Sequence, residues 1–241
     1  VYSMYGPGAV HDPAGADGKP RILGAGPLSL EIVEPYAHLK IRVDGVAQAM
    51  TVEDQMNGFF PGQTGGAEVP LRAEIDVRPV VPPWENGSMS AEAHRILSEE
   101  EEGGLVGYPW RFEQLCKATG TITVGDRTYE LNGGADRIRR QGVRRLASFW
   151  GHSWQAGMFP SGRAFGYQIF PPRKDGRPTY NEGYVFTGDG ELIPARVVQA
   201  PWLHRLQASG EDVSVVLETA DGTHEIRGET LTSTFMVMPP E

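Results

Sequence analysis

W-R-F-E-Q-L-C-K-A-T-G-T-I-T-V-G-D-R-T-Y-E-L, from Trp110 to Leu131, is the stretch on which the fold class turns. Apolar and polar residues alternate through Arg111–Ala118 and again through Thr119–Val124. Gly125-Asp126 then offers a turn into Thr128–Leu131. Alternation with period two, broken by a Gly-Asp pair, is the signature of strands joined by a tight turn. Outward from there the pattern repeats. Downstream, Ala147–Phe159, Ala164–Phe170, Tyr184–Thr187, Leu192–Val198, Val213–Glu218, Thr223–Arg227 and Thr230–Val237 read as strands. Upstream, Leu28–Val33, Leu39–Val43, Ala47–Val52 and Leu71–Val77 do the same, with a hairpin expected at Asp44-Gly45. Ser90–Glu102 is the one helix predicted, N-capped by Ser90 and fraying at Glu99–Glu102, where the macrodipole disfavours anions. It divides the chain into an N-terminal half, residues 1–106, and a C-terminal half, residues 107–241.

The composition agrees. Thirty-one glycines and 19 prolines leave little room for long helices. The expected fold is all-β, a sandwich or barrel in two halves. A net charge of −9 argues against nucleic acid or an anionic membrane surface as partner. One cysteine, Cys116, excludes an internal disulfide. No apolar run is long enough to span a bilayer, and the first residues lack a secretory pattern. A soluble, cytoplasmic protein is expected, with room for a homodimer.

Chemistry-bearing residues gather in the second half. In W-G-H-S-W, an extended strand would put Trp150, His152 and Trp154 on one face. Two indoles around one imidazole suit the wall of a small-molecule site, although each is more often a core residue. Arg137–Arg145 holds five arginines in nine residues. They form a solvated face, a phosphate-binding patch, or an inward site for an anionic or carbonyl-bearing ligand. One of Glu113 and Gln114 must face inward, and an inward Glu113 would either move a proton or neutralise an arginine. Tyr167, Tyr184 and Glu182 are polar groups among apolar neighbours. The six histidines are scattered without metal-ligand spacing, and no Gly-rich loop opens a helix. Neither a metal nor an organic cofactor is expected.

These residues carry a resemblance. Glu113-Gln114, Gly120–Val124, Gly125-Asp126, Gly133-Gly134, Arg137, Gly142-x-Arg144, and Trp150 with Trp154 resemble the second half of the AttH-like and carotenoid 1,2-hydratase-like proteins. Leu28–Gly45 resembles the first half, and the likeness runs from about Leu28 to Thr232. It implies two consecutive lipocalin-like β-barrel halves that hold apolar substrates without an organic cofactor. The family includes hydratases of isoprenoid double bonds and relatives that catalyse isomerising steps. Where many relatives have R-D-H-S-W-G-x-R, this chain has Ile138, Arg139 and Gln141 in place of the Asp, His and Trp. The Asp-His pair is missing.

Three expectations follow. The first is a cofactor-independent lyase, hydratase or isomerase acting on a hydrophobic terpenoid, polyketide or aromatic compound. His152 and Glu113 would move the proton, and Arg137 with Arg144 would polarise an oxygen. Trp150 and Trp154, with Gln114, Tyr167 and Tyr184, would hold the substrate. The second is a non-catalytic lipocalin-like carrier using the same site, which the missing pair favours. An interaction module with Arg139, Arg140 and Arg145 facing outward is a third reading.

Overall fold

The structure is a computed structural model that describes residues 2–3, 8–10, 17–19, 21–58, 66–141 and 149–235. Nine described strands make the first sheet. They are β1 (Tyr2–Ser3), β2 (Gly8–Val10), β3 (Ile22–Ala25), β4 (Leu28–Glu34), β5 (His38–Ala49), β6 (Glu68–Pro79), β7 (Trp84–Glu85), β8 (Trp110–Val124) and β9 (Arg127–Gln141). The order runs β2-β3-β4-β5-β6-β8, with β1 beside β5 and both β7 and β9 on β8. Three short helices, α1 (Val52–Met56), α2 (Ala91–Leu97) and α3 (Glu100–Val106), interrupt it. The second sheet is a meander of β10 (Ser153–Met158), β11 (Ala164–Ile169), β12 (Asn181–Phe186), β13 (Ile193–Gln199), β14 (Val215–Thr219) and β15 (Gly222–Ile226). All pairings are antiparallel. The fold is all-β, and its first sheet curls into half a barrel.

The β8–β9 hairpin organises both sheets. Its turn is where the sequence puts it, with Val124 opposite Arg127 around Gly125-Asp126. Alternation gives the hairpin two faces. Cys116, Ala118, Leu131 and Ala135 point into the curl, against Leu39, Ile41 and Val77. Leu115 points the other way, into a core shared with Val81, Trp84, Ala164, Tyr184 and Phe186. The curl shows in one contact. Tyr36, in the turn between β4 and β5, brings its ring 5.3 Å from that of Phe112 on β8, although β5 and β6 lie between them in the sheet. Gly120 permits the bend. Its φ is 151°, and a Cβ there would lie 2.0 Å from the Glu74 carbonyl oxygen.

Four expectations change. Asp44-Gly45 is not a turn, because β5 runs straight through it, held by β6 in the register Asp44–Arg72 and Gly45–Leu71. Ten consecutive cross-strand pairs outweigh one local turn preference. Glu99–Glu102 does not fray. Glu99 is the N-cap of α3, so the acidic run sits at a helix start, where the macrodipole favours it. The last expected strand, Thr230–Val237, is described only over residues 230–235, and these form no strand; a lone bridge from Asp212 to Glu229 precedes them. Finally, the first sheet continues to Gln141, so residues 107–141, read as part of the second half, are hydrogen-bonded into the first.

Ser90 caps α2 as expected, its Oγ accepting from the Ala93 N–H at 3.0 Å. A buried latch ties the segment before α2 to the second sheet. Glu182 on β12 accepts from Trp84 Nε1 at 3.2 Å, Gly87 N at 2.6 Å, Met89 N at 2.8 Å and Tyr180 Oη at 2.8 Å.

Candidate functional site

Arg111 and Glu113 are two residues apart on β8, so both point toward the second sheet. They form a buried ion pair, with the side chains only 4% and 3% exposed. Glu113 Oε1 accepts from Arg111 Nη2, and Oε2 accepts from Trp154 Nε1 at 2.7 Å. The Arg111 guanidinium lies 5.9 Å from the Trp154 ring centre. Both carboxylate oxygens of Glu113 are therefore engaged, one of them by a cation. Of the two roles open to an inward Glu113, the geometry shows the neutraliser.

Asp136, opposite Leu115 on β9, shares this face. Burial pushes its carboxyl up to about 6, the Glu113 charge adds to the rise, and Arg111 opposes it. Asp136 Oδ2 and Arg111 Nε are both buried without a hydrogen-bond partner. Burial and the same two carboxylates hold the Tyr184 phenol well above its ordinary range. Tyr184 packs edge-on to Trp84 at 5.6 Å. The absent side chain of Gly166 makes room for it, since a Cβ there would meet the ring at 2.5 Å.

On the far side of Trp154 lies a cleft of about 340 Å³ lined by Trp150, His152, Trp154, Pro171, Trp202 and His204, among others. The W-G-H-S-W stretch reaches it differently from the expected strand. β10 starts only at Ser153, and Gly151 has φ 113°, a conformation that breaks the alternation. Trp150 packs edge-on to Phe170 at 5.2 Å and donates its Nε1–H to the Pro171 carbonyl at 3.0 Å. The Arg173 guanidinium stands 4.5 Å over its ring, held there by buried Glu102 at 2.8 Å. His152 is exposed, its ring 5.3 Å from that of Phe149. The three residues share a cleft without sharing a strand face. Because the N–H groups of Trp150 and Trp154 are committed to protein acceptors, these two indoles contribute ring surface rather than donors to the cleft. Grooves of about 450 Å³ beside α2 and about 330 Å³ beside Phe165 have no indole in their walls.

Arg137 and Gln114, opposite each other across β8 and β9, point into the curl, away from Glu113 and the cleft. Arg137 stacks on Phe112 and Tyr36. Glu113 and Arg137, expected to act together, thus lie on opposite faces of one hairpin. Tyr167 is fully buried in the second sheet, its hydroxyl 3.0 Å from Ser153 Oγ. Tyr167 and Tyr184 both belong to cores rather than to the cleft wall. Arg144 and Arg145 lie outside the described residues, whereas Arg139 is exposed on β9.

A family model described as "Domain of unknown function (DUF7064)" matches residues 4–239. The chain belongs to this family. No curated protein and no solved structure matches it. The DUF7064 fold uses several residues that the sequence reading passed over. Arg111 was legible, since R-F-E puts it on the face of Glu113. Asp136 was legible only once its pairing with Leu115 was known. Trp202 and His204, in P-W-L-H after β13, have no local periodicity to mark them.

No group of three or more His, Cys, Asp or Glu among the described residues is arranged to hold a metal ion. Among them, too, no helix is long and apolar enough to cross a membrane.

Proposed function

We propose that the protein binds a small hydrophobic, ring-bearing molecule in the cleft between Trp150, Trp154 and Trp202. One observation carries this reading: three indoles and two imidazoles line one cleft of about 340 Å³, a volume suited to a small organic ligand. Two of the indoles have their polar edges satisfied by protein, so stacking and burial drive recognition. The binding reading is preferred to the catalytic one because Glu113 stands behind Trp154 with both oxygens engaged. Titration with naphthalen-1-ol, followed by indole emission, should show saturable quenching. Trp202→Ala should weaken it about tenfold. Unchanged affinity in that variant would remove the cleft from consideration.

A second reading, a cofactor-independent hydratase or isomerase of isoprenoids, is favoured by His152 and His204 on the same wall. Imidazoles exchange protons near neutral pH and suit acid–base work on an alkene. It predicts that the protein places solvent deuterium into an isoprenoid such as linalool in heavy water. Replacing both histidines with alanine should stop this while leaving naphthalen-1-ol binding within about threefold. Absence of label with wild-type protein would leave the carrier reading alone.

A further inference from the structure

The cavity of about 330 Å³ beside Phe165 lies inside a bend of the second sheet. Its walls include Phe165 of β11 and Ile226 of β15, although β12, β13 and β14 stand between these strands in the hydrogen-bonded order. Four strand spacings would hold them about 19 Å apart in a flat sheet, so the sheet curves to bring both to one cavity. The floor is core. Phe165 and Val185 are a cross-strand pair, 8% and 4% exposed, and Ile226 packs against the same cluster. Gly157 on β10 leaves room for the Phe165 ring, which a Cβ there would meet at 2.7 Å. Phe159, on the wall with its ring centre 6.2 Å from that of Phe165, stays 44% exposed. The fold leaves that apolar surface uncovered.

Two opposite charges share this wall. Arg163 precedes β11 and Glu225 lies on β15, both exposed, and no described residue forms an ion pair or side-chain hydrogen bond with either. They do not pair with each other. The wall's imidazole, His224, is already engaged with Thr219 Oγ1 at 3.2 Å. A neutral lipophile on this floor would strip water from the charged rim without replacing its hydrogen bonds. An anion would be drawn to Arg163 and repelled by Glu225, and a cation the reverse. A ligand with one charge of each sign and an apolar body matches all three features.

We propose that this cavity binds a free hydrophobic α-amino acid. Its carboxylate meets Arg163, whose planar fork of donors fits two acceptor oxygens. Its ammonium group, with three donors, meets the Glu225 carboxylate. Its side chain lies on Phe165, Val185 and Ile226 and covers Phe159, so burial of apolar surface drives the binding. The charged rim then selects the zwitterion. The site is independent of the aromatic cleft, since the two share no lining residue.

L-Phenylalanine is the probe for isothermal titration of the full chain, and it should bind saturably. 3-Phenylpropanoate lacks the ammonium group and 2-phenylethylamine lacks the carboxylate, and each should bind about fivefold more weakly. Glycine, with both charges and no apolar body, should not bind measurably. Arg163→Gln should weaken L-phenylalanine about fivefold and leave 2-phenylethylamine within about twofold. Glu225→Gln should weaken L-phenylalanine equally and leave 3-phenylpropanoate within about twofold. Both residues are exposed and unpaired, so both variants should fold as wild type does. Trp202→Ala should leave L-phenylalanine affinity within about twofold, since it lies outside this site. The proposal is overturned if L-phenylalanine does not bind wild-type protein, or if the three ring compounds bind equally. It is overturned also if Arg163→Gln and Glu225→Gln bind L-phenylalanine as well as wild type does.

Discussion

On one face of the β8–β9 hairpin, Arg111 is buried against Glu113 and beneath Trp154; on the other, Arg137 lies between two aromatic rings with no carboxylate among the described residues. The two arginines share a side chain and a hairpin, and differ in what faces them. The Arg111 side meets a second sheet, where low dielectric makes any uncompensated charge expensive. There Glu113 supplies the opposite charge, and Trp154 supplies the last donor. The Arg137 side faces the inside of the curl, where Leu39, Val77, Cys116 and Ala118 are buried together. The contrast separates an arginine held by a buried ion pair from one held by aromatic rings alone.

The largest effect is expected where the paired face is broken. Glu113→Ala should destabilise the protein by about 3–5 kcal/mol, because it leaves Arg111 buried and alone. Urea unfolding measures this, and a loss below about 1 kcal/mol would mean that Arg111 finds another partner. Next comes Trp154→Phe, which keeps the ring but removes the hydrogen bond to a charged oxygen. A loss of about 2 kcal/mol is expected in the same assay.

Asp136 sharpens the comparison through pH. Its carboxyl titrates at about 6 in the folded protein, against about 4 in an unfolded chain. Between these values the folded state binds more protons, so the Asp136 contribution to stability falls as pH rises from about 4 to about 6. It then stays lost at higher pH. Asp136→Asn should remove that fall, stabilising the protein at pH 7 by on the order of 1–2 kcal/mol once partial exposure is allowed for, with no gain below pH 4. Denaturant midpoints of the two proteins across pH 4–8 provide the check, and parallel curves would contradict the burial of Asp136.

The smallest effect is expected on the inner face of the curl. Arg137→Met should change stability by less than about 0.5 kcal/mol, since no ion pair or hydrogen bond is lost. A loss comparable to that of Glu113→Ala would erase the distinction between the two arginines.

The hairpin itself is written plainly in the sequence, since the alternation from Arg111 and the Gly125-Asp126 turn both appear as read. The Ser90 cap is equally local and equally legible. Asp44-Gly45 misleads because a turn preference is weak beside a neighbouring strand that holds its register through it. The Trp150–His152–Trp154 face misleads for the opposite reason. One glycine with positive φ ends the extended backbone between the first tryptophan and the histidine, and nothing in the residue type requires a glycine to take that conformation.

By itself, the sequence determined that this chain is built of antiparallel strands, because period-two alternation and frequent glycine and proline act over a few residues. It also supplied the residue types from which a site would be made. Only the tertiary structure decided which of them meet. Glu113 and Arg137 were parted by the two faces of one hairpin, while Trp202 and His204 joined Trp150 and Trp154 from some fifty residues away. Alternation tells which residues share a face, but what covers each face depends on how the sheet curls and where the second sheet lands.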